Sequence, residues 1–398
     1  GVGFDMMLIN DDRYTPAEPY MFGHYFRMNE GIVSVAPEPF TIRAGRIDHR
    51  DEVETPYSLF ISSRDLPATV ADVEYNDGFF FYRTRWISLN RNWDYEANDM
   101  IPPNASPDQI DAIPRDRGAN YKAYGLQFGN WRLGVQESVV YINQEFYPEY
   151  FFSPLPMYFT QLVNSSTGKP WTQQADENSI IGLFLDYETP QTYAYVQFLM
   201  DDVNLRALAP GVNEVNPNKL AWSFGGRHAF DFGTLGLYHA GATKYTYAAT
   251  TTQKRNDVYS TKPYEYAYYP AVTYGDETLW YDDNYIGYQY GENNLAFMFT
   301  YDRAFPQFDL GGSLEYVISG SKSPANPWHE DYEADATQLL SDDPKNEHTI
   351  RLGGEITRRI DNWHLTAAGS LGYRFNALEL NEVTDEKGLT DPNSSPAI

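Results

Sequence analysis

Two arginines in a run of aromatic residues are the first side chains of this sequence that could do chemistry. Arg83 and Arg85 lie in the stretch FFFYRTRW and share one parity, while Tyr82 and Trp86 share the other. If the stretch is a strand, both guanidinium groups point to the same face. A guanidinium is a planar fork of donors that suits carboxylates and sugar hydroxyls. We therefore treat Arg83 and Arg85, together with Arg64 in ISSRDLP, as candidates for contact with a polyanion.

A structural role for these arginines is the alternative. Acidic residues of other strands, such as Glu137, Asp186 and Glu315, could pair with them across the inside of the fold and brace it. Both interpretations stay open on the sequence alone. Glu137 joins the three arginines in the candidate ligand-binding set.

Tryptophans in the polar segments form a second candidate set. The flat C–H faces of sugar rings pack well on aromatic faces, so these side chains are suited to stacking on a saccharide. Tryptophan also anchors membrane proteins at the interface between lipid and water. The four candidates are Trp93, Trp171, Trp280 and Trp328.

Signs of catalysis are few. The sequence contains no GxSxG, HExxH or P-loop motif, its seven histidines have no ligand-like spacing, and cysteine is absent. We expect no enzymatic activity, no cofactor and no transition-metal site. Acidic pairs could supply oxygen ligands for Ca²⁺, although solvated carboxylates are the simpler interpretation. These pairs are Asp11-Asp12, Asp201-Asp202, Asp282-Asp283 and Asp342-Asp343.

Composition narrows the class of protein. The net charge is −26, so the chain has no excess of positive charge that could neutralise phosphates, and this argues against a nucleic-acid partner. Aromatic residues make up 16% of the chain, and no apolar run is long enough for a transmembrane helix. The mean hydropathy of −0.54 still fits a membrane β-barrel, because only alternate strand residues face lipid.

The most informative stretch is the hairpin at residues 347–376. Apolar residues alternate with polar ones on both sides of the turn Asp361-Asn362. The strands have the length that a tilted strand needs to cross a bilayer, and about fifteen such strands recur along the chain. We predict an all-β fold, a transmembrane antiparallel up-and-down β-barrel of 16–18 strands. Residues 1–30 are expected to form a small N-terminal periplasmic segment and residues 31–398 the barrel, without its last strand or strands.

Residues 40–202 contain a series of distinctive sequence elements, the first of which is a serine-containing stretch that precedes the strand FFFYRTRW. Further elements are the E-S-x-x-Y segment of GVQESVVYIN, the aromatic-Pro segment EFYPEYFFSPLPMYF, and the strands ENSIIGLFLDY and YAYVQFLMDD. Through these elements, residues 40–202 resemble the capsule-assembly Wzi family. The resemblance implies an 18-stranded outer-membrane barrel with lectin-like binding of surface polysaccharide, and it brings no catalytic residues.

The sequence thus favours a non-enzymatic outer-membrane barrel of a bacterium that binds capsule or a related glycan. The expected partners are outer-membrane lipid, lipopolysaccharide and surface polysaccharide, and the oligomeric state stays open. A diffusion porin is the first alternative, because inward arginines opposite acids also suit a selective pore. A surface adhesin is the second.

Overall fold

The computed structural model is all-β, and fifteen of its strands form one antiparallel up-and-down sheet. Neighbours in this sheet follow each other along the chain. The structure describes residues 1–9, 24–61, 67–90, 116–142, 144–164, 177–202, 218–244, 246–247, 253–255, 258–260, 273–274, 277–278, 286–320, 339–340, 346–360 and 363–377.

The strands of the sheet are long, as the alternation predicts. The first half of the sheet consists of β1 (Val2–Ile9), β2 (Tyr25–Val35), β3 (Phe40–Ile47), β4 (Ala68–Asn76), β5 (Phe80–Asn90), β6 (Arg117–Phe128) and β7 (Trp131–Ile142). Two helices follow, α1 (Pro148–Phe152) and α2 (Met157–Asn164). The next strands are β8 (Glu177–Glu188), β9 (Thr192–Asp202), β10 (Lys219–Phe230) and β11 (Gly233–Ala242). Two separate short hairpins comprise β12 (Gln253–Arg255), β13 (Val258–Ser260), β14 (Thr273–Tyr274) and β15 (Glu277–Thr278). The sheet ends with β16 (Asn294–Ala304), β17 (Phe308–Ser319), β18 (Glu347–Ile360) and β19 (Trp363–Phe375).

Short turns lie at one rim of the sheet and longer connections at the other. The turn between β4 and β5 shows how the sequence closes the short rim. The Asp77 carboxylate accepts the backbone N–H groups of Phe79 and Phe80 at 2.9 and 2.7 Å, and Gly78 adopts a φ of +89°. Such a φ favours glycine, which has no Cβ to clash. The longer polar segments between the strands therefore all begin at the opposite rim.

The two faces of the sheet differ in chemistry. We call the face that carries Arg85 the inner face and the face that carries Trp86 the outer face. On the outer face, a row of exposed apolar side chains crosses five adjacent strands in register. The row consists of Leu237, Phe299, Leu314, Leu352 and Leu371, and the last of these is 77% exposed.

Residues 48–61, the crossing segment, leave the end of β3 and run along the inner face. Glu52 forms an ion pair with Arg83 of β5, and Tyr57 donates a hydrogen bond to Glu315 of β17 at 2.9 Å. Strands β5 and β17 are far apart in the sheet order. The sheet therefore curls around the crossing segment, whose apolar residues Leu59, Phe60 and Ile61 are fully buried.

The all-β class and the up-and-down topology that the sequence predicts are confirmed. The sheet, however, is not closed into a barrel, and β1 and β19 are its two edge strands. Residues 1–30, which the sequence analysis separates from the barrel, contribute β1 and the first part of β2 to the same sheet. Among the described residues, no helix has the length and the apolar character that spanning a membrane requires.

Candidate functional site

The inner arginines converge on one buried carboxylate. Asp72 on β4 is fully buried, and its neighbours in the strand register are Arg43 on β3 and Arg85 on β5. Arg85 Nε lies 2.9 Å from Asp72 Oδ1, and Arg43 Nε lies 3.0 Å from Asp72 Oδ2. Arg83 Nε reaches the same carboxylate at 3.8 Å. This row of charges connects three strands at the inner face.

Glu52 connects the crossing segment to strands β5 and β7. Its carboxylate lies 2.5 Å from Arg83 Nη1 and 3.5 Å from Arg132 Nη1 on β7. Arg132 also donates to the Glu52 carbonyl at 2.6 Å and forms a two-pronged pair with Asp186 on β8. Arg83 completes its own set with Glu74 on β4. The donors of both arginines are thus directed at carboxylates and a backbone carbonyl of this chain.

Polar side chains of the sheet bind the backbone amides of the crossing segment. Gln136 Oε1 accepts the N–H of Glu52 at 3.3 Å, and Gln197 Oε1 accepts the N–H of Leu59 at 3.0 Å. Tyr193 accepts the N–H of Glu54 through its hydroxyl oxygen at 2.7 Å. A segment without regular secondary structure needs such partners when it is buried, because an unmatched amide costs about 1–3 kcal/mol.

Electrostatics in the crossing segment follow from its burial. Burial raises the pKa of the Asp51 carboxyl from 3.8 to about 6, although hydrogen bonds from Gln197 and from the Phe60 amide act in the opposite direction. Burial and the nearby charge of Arg85 hold the pKa of His49 well below its usual 6.5. Burial and the Glu315 carboxylate raise the pKa of Tyr57, which therefore acts as a neutral hydrogen-bond donor.

At the far side of the inner face, Glu315 is the common acceptor for three parts of the chain, namely the crossing segment, the segment before β16 and strand β18. It accepts from Tyr57 at 2.9 Å and from Tyr290 at 2.6 Å, and Arg351 Nη1 lies at 3.2 Å. Tyr57 in the crossing segment is thereby linked to β17 and β18. The whole arrangement binds the crossing segment from β5 to β18 and occupies the inner face with residues of this chain.

The prediction for Glu137 needs a correction. We expected it beside the inner arginines, but it lies on the outer face, opposite Lys122 in the register of β6 and β7. The reason is parity. Glu137 shares its side of β7 with the exposed residues Trp131 and Leu133, whereas Arg132 and Gln136 point inward. Its carboxylate accepts the backbone N–H of Met157 at 2.9 Å, at the beginning of α2.

Several predicted residues lie outside the part of the chain that the structure describes. These are Arg64 and the four tryptophans Trp93, Trp171, Trp280 and Trp328. The same is true of three acidic pairs, and the fourth includes Asp201, whose carboxylate accepts the Tyr247 N–H at 3.0 Å. No cluster of three or more His, Asp or Glu side chains suited to a metal ion occurs among the described residues.

Sequence reasoning assigned no role to Gln136, Gln197 or the crossing segment. The available signal was a glutamine on the inward parity of two long strands, GVQES and YVQFL. An amide side chain there has both a donor and an acceptor for a second layer of backbone.

Comparison with known proteins adds no relative, since no protein-family model matches this chain and a search of curated proteins finds no significant match.

Proposed function

We propose that this chain is a bacterial outer-membrane β-barrel that binds surface polysaccharide and catalyses no reaction. One observation carries the proposal. The outer face of the sheet is a band of exposed apolar side chains, while its inner face is polar and is occupied by the crossing segment. An apolar outside around a polar inside is the pattern of transmembrane barrels.

The occupied inner face favours a binding protein over a wide pore. Arg83, Arg85 and Arg132 have their donors directed at Asp72, Glu52 and Asp186. Those arginines therefore brace the interior, and we assign glycan binding to the rim of long connections. The tryptophans of the sequence prediction lie outside the described residues, in sequence segments between the strands. The Wzi-like segments in residues 40–202 agree with this function.

A diffusion porin remains the second candidate because of one feature. On β18 and β19, the inner-face residue Thr366 is exposed and its neighbour Thr357 is half-buried, so the crossing segment does not cover this part of the sheet. Water and ions could pass there if further structure closes the barrel.

Conductance in a planar bilayer, with a matched variant, tests the proposal. The variant replaces residues 51–60 by a Gly/Ser linker of equal length, which removes the contacts of Glu52 and Tyr57. We expect the native chain to be nearly silent and the variant to conduct. Steady openings of the native chain would make it a porin, and silence of both would argue against insertion as a barrel.

Retention of bacterial capsular polysaccharide and lipopolysaccharide by the immobilised native chain measures the binding function, and retention of neither would refute it.

A further inference from the structure

The apolar band of the outer face is interrupted at β5–β7. Where the neighbouring strands carry valine, isoleucine or methionine, these three carry side chains with hydrogen-bonding groups. Glu137 is in register with Ile181 of β8, which pairs with the exposed Met200 of β9. The polar stretch consists of Thr84, Trp86, Ser88, Asn120, Lys122 and Glu137.

Residues 144–164, the helical hairpin, cover this stretch with backbone hydrogen-bond partners. Lys122 Nζ donates to the carbonyls of Ser153 and Leu155, which follow α1, the latter at 3.1 Å. Glu137 accepts the N–H of Met157 at 2.9 Å, where α2 begins. Every one of these contacts joins a polar group of a strand to the hairpin.

The tip of α1 and the approach to it are bound in the same way. Thr84 donates to the Phe151 carbonyl at 2.9 Å, and Trp86 donates its indole N–H to the Glu145 carbonyl at 2.6 Å. Ser88 reaches the Glu145 carboxylate at 2.7 Å. The hairpin therefore follows the polar stretch from β5 to β7.

The hairpin has a packed underside and an apolar outside. Tyr147, Tyr150 and Met157 are buried against Val139 and Tyr141 of β7. The opposite side exposes large apolar residues, among which Phe152 is 73% exposed, Leu155 60% and Phe159 55%. Exposing such side chains to water is unfavourable by about 25 cal/mol per Å², so a patch of them normally has an occupant.

We propose that the helical hairpin is part of the lipid-facing surface, and that acyl chains of the membrane are what contact Phe152, Leu155 and Phe159. The inference rests on the proposed membrane location. The support for it is the continuity of the apolar outer surface. The hairpin covers the polar stretch of β5–β7 and presents apolar side chains of the kind that the neighbouring strands present. The charged groups of Lys122 and Glu137 would be unfavourable in contact with lipid, and beneath the hairpin both are hydrogen-bonded.

Site-specific labelling tests this assignment. Because the sequence contains no cysteine, an introduced cysteine is the single site of labelling. Single-cysteine variants Phe152→Cys and Phe159→Cys of the full chain carry an environment-sensitive fluorophore in phosphatidylcholine vesicles. Leu183→Cys on the apolar band and Gln191→Cys in a short turn are the two references. The quenchers are nitroxide-labelled acyl chains for lipid contact and iodide for water contact.

We expect the labels at positions 152 and 159 to lose fluorescence to the lipid quencher as strongly as the label at 183, and the label at 191 to respond to iodide. Quenching by lipid at 183 but only by iodide at 152 and 159 would overturn the inference and leave the membrane location intact. Shielding of 152 and 159 from both quenchers would also overturn it and indicate a second copy as the occupant. Absence of lipid quenching at 183 would instead refute the proposed membrane location.

Discussion

Lys122 on β6 and Glu137 on β7 stand opposite each other in the sheet register, and each binds a different half of the helical hairpin. The ammonium group contacts carbonyls that follow α1, and the carboxylate contacts amides where α2 begins. Both signs match the partial charges that helix ends carry. The pair thus orients the hairpin on the outer face.

Replacing these two residues should release the hairpin without disassembling the sheet. We expect Glu137→Leu to leave the Met157 amide unmatched, at a cost of about 1–3 kcal/mol. Glu137→Gln keeps one acceptor oxygen and should lose less of this stability. Lys122→Met should destabilise the hairpin's attachment as Glu137→Leu does. The readout is the rate of chymotrypsin cleavage within residues 146–159 in detergent micelles. Equal cleavage rates for the native chain and all three variants would contradict this role.

The carboxylate of Asp72 should matter more for stability than any single arginine around it. Asp72→Ala leaves Arg43 and Arg85 without their common acceptor at a fully buried site. Removing one partner of a buried ion pair costs about 3–5 kcal/mol. We expect a clearly lower temperature of unfolding for Asp72→Ala, and a smaller loss for Arg43→Ala, whose side chain is partly exposed.

The double variant Arg83→Ala with Arg85→Ala separates the two roles considered for these arginines. Because their donors are engaged by Asp72, Glu52 and Glu74, we expect lower thermal stability and unchanged retention of polysaccharide. A lower glycan affinity at unchanged stability would instead assign the two residues to the binding site.

The strands could be predicted from the sequence because their signal is local. In the hairpin of β18 and β19, one parity is apolar along the middle of β18 and along all of β19, and Leu352 and Leu371 do lie in register on the outer face. The same argument places Arg85 inward and Trp86 outward, as observed. Curling, edges and closure of the sheet depend on contacts between remote strands, and alternation within one strand does not encode them.

Contacts across long sequence separations explain what was missed. Glu137 lies on the apolar parity of β7, and its partner Met157 belongs to a helix that the alternation of apolar and polar residues does not predict. The crossing segment has no regular period, and its burial depends on Gln197, 138 positions after Leu59. Such residues are recognisable beforehand only as polar groups on a face where they need a partner.

Gln197 should be required to keep the crossing segment in place. In Gln197→Leu, the Leu59 amide loses its acceptor at 3.0 Å and Asp51 loses a donor at 2.8 Å. We expect transient openings in planar-bilayer recordings, where the native chain is nearly silent. The neighbouring variant Phe198→Leu, on the outer face, is the control and should stay silent. Silent recordings from Gln197→Leu, in a chain that still inserts, would show that the glutamine is dispensable.

Stability of the crossing segment should also depend on the protonation of Asp51. Its folded-state pKa of about 6 lies above the ordinary 3.8, so its contribution is fully present below about pH 4 and is lost as the pH rises through about 6. His49 acts in the opposite sense, because its depressed pKa makes the folded chain less stable as the pH falls below 6.5. The comparison therefore needs Asp51→Asn, in which His49 still titrates and Asp51 does not.

We expect the free energy of unfolding of the native chain, relative to that of Asp51→Asn, to decrease between about pH 4 and about pH 7. A pKa displaced from 3.8 to about 6 corresponds to about 3 kcal/mol over that range. The sign follows from desolvation, because the buried carboxyl is most stable when neutral and must carry a charge at the higher pH. Thermal unfolding of both chains across this range measures the difference. A difference that stays constant with pH would mean that Asp51 is ionised in the folded chain throughout, with its hydrogen bonds from Gln197 and Phe60 outweighing burial.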